Sequence, residues 1–318
     1  MKRVTTTVLA LAAALRLATP ALAQVEGQVI YGDDDRIDVY QTKDARLKKL
    51  ADSTVALVRA SSVRSANGAM ALDTEPYGES MGLCKDEPFY EQPTAAFCSG
   101  SLVAPDVIMT AGHCVTSESA CSGVKFVFGF AVKEKGKMPT SVAASDVYSC
   151  AKLLGREQVN DGSDWALVKL DRAVVGHAPL KLNLSRQIVN GTPLIVIGHP
   201  SGLPTKIAGG AAVRDASKDG YFVANLDTYG GNSGSAVFNG QNGNVEGILV
   251  RGENDFTYRG SCRVSNKCPA DGCRGEDVTK LDHPLDRLAG ASHEDRVAGL
   301  SPTFAALLEK VGAVQSRP

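Results

Sequence analysis

"DTYGGNSGSAV" (Asp227–Val237) places Ser233 among residues that have almost no side chain. Gly230 and Gly231 let the backbone bend and turn amide N–H groups into a concave nest, and Gly234 keeps the approach to the hydroxyl open. Donors from Gly231 and Ser233 suit the negative oxygen that forms when a hydroxyl attacks a carbonyl. Two other uses of such a stretch fail on detail. A phosphate-binding loop requires a Gly-Lys-Ser/Thr ending, and a nucleophile elbow requires glycine where Ser235 stands.

A hydroxyl nucleophile needs an imidazole to take its proton near neutral pH. The chain has five histidines: His113, His177, His199, His283 and His293. His113 closes "CSGSLVAPDVIMTAGHC" (Cys98–Cys114), where a β-prone run ends in Thr-Ala-Gly and a cysteine follows the ring directly. The other four have blander surroundings and read as structural. The base in turn needs a carboxylate to orient it. "DGSDWALVKLD" (Asp161–Asp171) supplies Asp164, immediately ahead of an apolar strand that leads into the interior, whereas Asp161 and Asp171 read as turn residues.

Bulk properties bound the rest. With 318 residues, 43% hydrophobic and 22% charged, the chain supports one large core or two small ones. A formal net charge of −1 gives no field that attracts nucleic acid or an anionic membrane. Lys2 and Arg3, an apolar run from Val8 to Leu15 and Ala21-Leu22-Ala23 have the layout of a secretory signal peptide over 1–23. Losing Lys2, Arg3 and Arg16 with it takes the net charge from −1 to −4. All eight cysteines lie beyond that segment. Their even number and an export route point to disulfides, and the absence of CxxC and HExxH argues against a metal site. No cofactor and no metal is expected.

Short β-prone runs recur between Gly- and Asp-rich turns: "STVALV" (Ser53–Val58), "VKFVFGF" (Val124–Phe130), "WALVKL" (Trp165–Leu170), "PLIVIG" (Pro193–Gly198), "YFVANL" (Tyr221–Leu226) and "NVEGILV" (Asn244–Val250). They predict an all-β sandwich or barrel pair. Phe126, Phe128 and Phe130 share one face at a period of two. "SPTFAALLEKVG" (Ser301–Gly312) predicts a C-terminal helix, capped by Ser301 and stopped by Gly312. The polar stretch from Ser61 to Pro93 reads as a surface insertion, and Thr279 to Gly299 as a linker.

"TAGHC" (Thr110–Cys114), "SDWALVKL" (Ser163–Leu170) and "GGNSGS" (Gly230–Ser235), in that order, resemble the three signatures of chymotrypsin-fold serine endopeptidases. The asparagine before the serine is closest to the bacterial glutamyl endopeptidase-like branch. The resemblance, over roughly Leu50 to Arg251, implies two antiparallel six-stranded β-barrels with the site between them. It also implies His113 as general base, Asp164 as its orienter, Ser233 as nucleophile, and a Cys98–Cys114 disulfide bracketing the histidine. The implied organisation is a signal peptide (1–23), an N-terminal pro- or extension segment (24–49), a two-barrel protease domain (50–278) and a C-terminal linker and helix (279–318). A secreted monomeric enzyme acting on proteins or peptides, with no nucleic-acid partner and no membrane span, is the expectation. A protease-shaped binding protein or toxin without turnover is the alternative from another class.

Two finer readings concern activation and specificity. "GDDDRIDVY" (Gly32–Tyr40) looks like an exposed clip site, where a cut after Arg36 frees Ile37 as a new amino terminus. The trypsin-like switch pairs such an ammonium with an aspartate before the nucleophile. Here Asn232 stands there, and a buried ammonium without a counter-ion costs several kcal/mol. At the specificity pocket, Asp227, Thr228 and Gly252 are the candidate lining. An anionic base favours Lys or Arg in the residue before the cut (P1), unless Asp227 only binds loop amides. A glutamyl-specific pocket is the alternative: Thr228 suits it, but "GILVRG" (Gly247–Gly252) lacks the histidine it needs.

Overall fold

The computed structural model describes residues 29–287. Their framework is two closed six-stranded antiparallel barrels. The first runs, in hydrogen-bonded order, through Val124–Val127, Val147–Gln158, Asp164–Leu170, Val107–Thr110, Cys98–Ala104 and Thr54–Arg59. The second runs through Pro193–Gly198, Ala236–Asn239, Val245–Arg251, Glu276–Lys280, Tyr221–Ala224 and Lys206–Asp215, and closes where this last strand pairs with the first. Closure removes the unpaired edges that would template aggregation.

Side chains from alternate strand positions fill each barrel. Val55, Leu57, Leu102, Ile108, Phe126 and Leu167 pack in the first, and Leu194, Val196, Phe222, Val237, Leu249 and Val278 in the second. Ile197, Ala236, Phe238 and Ile248, all from second-barrel strands, join the first barrel's cluster, so the seam between barrels is itself apolar core. The expected face of three phenylalanines breaks. Phe126 and Phe128 enter the first-barrel cluster, but the strand ends at Val127 and Gly129 turns at φ +75°, which sends Phe130 to a different cluster with Val58 and Leu72.

The segment read as a surface insertion is more ordered than its polarity suggested. Val63–Ala66 and Ala69–Leu72 form a hairpin around Asn67-Gly68, both at positive φ, the turn that such a dipeptide favours. Farther along, Tyr77 is buried and Cys84 bonds Cys262. The linker expected from Thr279 does not start there: Glu276–Lys280 is a barrel strand, Thr279 is fully buried, and Leu281 and Leu285 pack into the main cluster. The expected signal peptide and C-terminal helix lie outside the described residues.

Ahead of the first barrel, Arg36–Asp38 pairs with Lys206–Ala208 on the second, and Ile30–Tyr31 pairs with Lys267–Cys268. The Arg36–Ile37 bond therefore sits inside a strand ladder, and Arg36 is 5% exposed. The acidic cluster did not make it an exposed clip site. A protease would have to unfold this strand to reach the bond.

Candidate active site

Asp164 opens the Asp164–Leu170 strand at the seam and is 2% exposed. A carboxylate there must be fully hydrogen-bonded, and it is. One oxygen, Oδ1, accepts the N–H of Gly112 at 2.5 Å and of His113 at 3.1 Å, while Oδ2 lies 2.6 Å from His113 Nδ1. That contact assigns the proton on the ring to Nδ1 and leaves Nε2 as the basic nitrogen. Thr279, which the sequence reading left in a linker, braces the same residue. Its hydroxyl accepts the Asp164 N–H and donates to the Asp164 carbonyl, both at 3.0 Å. A second-barrel strand thus fixes the first barrel's carboxylate.

Ser233 stands on the other side of the seam. Its carbonyl accepts the Ser99 N–H at 2.8 Å, and Cys114 Sγ lies 3.6 Å from it. Cys98 and Cys114 are disulfide-bonded, as the resemblance implied. The bridge ties the strand that grips Ser233 to the residue following His113. Gly234 is required by close approach: a Cβ there would lie 2.1 Å from the Ser99 carbonyl oxygen and 2.2 Å from Thr110 Oγ1. The Ser233 loop therefore sits against the residues on both sides of His113.

The loop's amides are oriented by its carbonyls. All described peptide bonds are trans, so a carbonyl pinned in one direction aims the next N–H in the other. The Gly230 carbonyl accepts the Ser201 N–H at 2.5 Å, which turns the Gly231 N–H away from Ser201. The Asn232 carbonyl accepts the Ser235 N–H at 2.8 Å, which does the same for the Ser233 N–H. Further pins hold the loop: Gly230 N–H on Asp255 at 3.0 Å, and the Gly231 carbonyl on Ser99 Oγ at 2.8 Å. Asn232 is buried, and its side chain accepts the Ser235 hydroxyl rather than meeting any ammonium.

The candidate pocket residues divide. Asp227 Oδ1 accepts the Tyr31 N–H at 2.7 Å and Oδ2 the Asp35 N–H at 2.8 Å. Both oxygens thus anchor the amino-terminal segment, and burial raises the carboxyl to about 6. These contacts match the alternative reading, in which Asp227 binds loop amides. Thr228 and Gly252 do converge, on a residue the sequence reading missed. Glu276 Oε2 lies 3.3 Å from Thr228 Oγ1, and a Cβ on Gly252 would come within 1.7 Å of it. Glu276 is fully buried, burial pushes its carboxyl well above the usual range, and the Tyr31 hydroxyl bonds it at 3.1 Å. The sequence signal was one acid of the Glu276-Asp277 pair, too common to single out.

All eight cysteines are paired: Cys84–Cys262, Cys121–Cys150 and Cys268–Cys273 join Cys98–Cys114. Among the described residues no helix is long and apolar enough to cross a membrane.

Residues 98–248, which hold all three motifs, match the trypsin-like peptidase domain family. The chain is similar to human chymotrypsin-like elastase family member 3B, at 33% identity over 43% of this chain and 50% of that protein. It is also similar to glutamyl endopeptidase from Bacillus licheniformis, at 29% identity over 44% and 45%. It thus spans about half the length of these relatives. Among solved structures, a Glu endopeptidase in complex with MPD covers 83% of this chain and 99% of its own at 18% identity, with a TM-score of 0.46. The Vibrio cholerae VesB protease gives 0.48 at 15% identity, over 84% of this chain and 68% of its own.

Proposed function

We propose that this chain, through its trypsin-like peptidase domain, is a secreted serine endopeptidase with His113, Asp164 and Ser233 as its triad. The observation that carries the reading is Asp164, whose two oxygens are divided between the backbone beside His113 and the ring itself. Ser233 Oγ attacks the scissile carbonyl carbon and passes its proton to His113 Nε2. Asp164 stabilises the imidazolium through Nδ1–H. The carbonyl oxygen, now negative, takes hydrogen bonds from the Gly231 and Ser233 amides. Collapse breaks the C–N bond, His113 returns the proton to the leaving amine, and water then releases the acyl group by the same route. Four disulfides support an oxidising compartment.

For P1 the proposal is Lys or Arg, with Glu276 taking the part first expected of Asp227. A cation arriving between Thr228 and Gly252 would meet this carboxyl and favour its ionised form, whereas an acidic side chain would place two acids together. The test of catalysis is Ser233→Ala: it should keep the fold and lose nearly all casein cleavage, and digestion at the wild-type rate refutes the triad. Profiling cuts on a peptide library tests specificity. Cuts clustered after Glu contradict the basic preference.

A further inference from the structure

Arg36, on the amino-terminal segment, has a side chain only 1% exposed. Its Nε and Nη2 bond the two oxygens of Asp34 at 2.8 and 2.7 Å. The guanidinium carbon lies 4.1 Å from the centre of the Tyr229 ring and 5.5 Å from that of Phe89, and Nη2 reaches the Tyr229 hydroxyl at 3.3 Å. One carboxylate and two aromatic faces offset the cost of desolvating it. Backbone pairing with Lys206–Ala208 and the buried Lys206–Asp38 ion pair at 2.7 Å already fasten this strand, so anchoring alone does not call for a second cation here.

One of the residues around the guanidinium, Tyr229, belongs to the nucleophile loop. Tyr229 begins the turn whose carbonyl accepts the Asn232 N–H at 2.9 Å. Tyr77, fully buried, neighbours both Arg36 and Ser201. Ser201 supplies the N–H that pins the Gly230 carbonyl, and it does so from a left-handed backbone (φ 49°) that a non-glycine residue adopts at a cost. Arg36 therefore touches the residue before one end of the contact that aims the Gly231 amide, and reaches the other end through Tyr77. At the position where an aspartate would receive a freed ammonium, the chain has Asn232, bonded to Ser235.

We propose that Arg36 is the positioning residue of the oxyanion hole: a side-chain cation, carried in by the uncut amino-terminal segment, that holds Tyr229 and the Ser201 turn so that the Gly231 amide faces the reacting carbonyl. The inference rests on the proteolytic reading of Ser233. It makes cleavage after Arg36 inactivating, since a cut there would release the segment that seats the guanidinium.

The experiment uses the full chain, labelled with a fluorophosphonate, and reads the amino terminus of the labelled species. The expected product contains an intact Arg36–Ile37 bond. In Arg36→Met, kcat should fall at least ~100-fold with KM within about threefold, the pattern of a lost oxyanion donor. In Arg36→Ala, which empties the space that methionine would fill, millimolar ethylguanidinium should recover part of the lost kcat. Arg36→Lys keeps the charge and a basic cleavage site but not the planar fork, and should also lose kcat. A labelled species beginning at Ile37, full activity in folded Arg36→Met, or wild-type kcat in Arg36→Lys would each overturn the proposal. Should Arg36→Met fail to fold, Arg36→Lys and the sequenced terminus still decide. Wild-type protein that neither labels nor cleaves overturns the proteolytic reading first, and this inference with it.

Discussion

Replacing Asp164 by asparagine changes one atom, and the surroundings dictate which way the new amide must turn. The Oδ1 position faces two N–H groups, from Gly112 and His113, so only the amide oxygen can occupy it. The NH₂ group must then face His113 Nδ1, 2.6 Å from the present Oδ2. A donor there stabilises the tautomer with its proton on Nε2, which leaves the ring unable to accept from Ser233. In triads of this kind the wrong tautomer costs on the order of 10⁴ in kcat, or ~5.5 kcal/mol of barrier. Thr279 bonds the backbone of residue 164 and is untouched, so the fold should survive. Steady-state hydrolysis of a peptide chosen from the library, with a thermal melt alongside, measures both. A folded Asp164→Asn within tenfold of wild-type kcat at neutral pH would refute the assigned orientation.

Three further expectations follow from the geometry. Gly231→Ala puts a Cβ 2.8 Å from the His199 carbonyl oxygen on a backbone at φ +93°, so the peptide must rotate; kcat should fall ~100- to 1,000-fold, and an unchanged kcat removes Gly231 from the oxyanion hole. Serine at both Cys98 and Cys114 opens a loop with a sequence separation of 16 and should cost about 3 kcal/mol in denaturant unfolding, and no loss would contradict the stapling role. His199 is buried against Phe130 with Nδ1 on the Leu203 carbonyl, and burial lowers it to about 4. Its folded form prefers the neutral ring, so the contribution is full above the ordinary pKa near 6.5 and is lost as pH falls through about 4, on the order of 3 kcal/mol. His199→Gln should flatten stability between those limits, and an unchanged acid slope would contradict the reading.

The proposed triad was legible because each of its residues is held by its own neighbours in the chain. Thr110–Cys114, Ser163–Leu170 and Gly230–Ser235 carry their glycines, strand starts and cysteines within a few residues of the reacting group. The barrel strands were legible for the same reason, as short apolar runs with turns. What escaped depends on contacts between residues far apart in sequence. Asp227 takes amides from Tyr31 and Asp35, Glu276 closes against Thr228 and Gly252, and Thr279 braces Asp164. Arg36 misled most directly: three aspartates and an arginine read as an exposed clip site, yet the aromatic faces of Tyr229 and Phe89 take the cation inside. Asn67-Gly68 shows the opposite failure, a local hairpin signal present in the sequence and passed over within a polar stretch.

Intact-mass and peptide-mapping analysis after fluorophosphonate treatment tests the central claim most directly. One adduct should form, on Ser233, and its rate should drop by at least ~1,000-fold in His113→Ala. An adduct on another residue, or labelling of Ser233 at the same rate without the imidazole, would contradict a serine activated by His113.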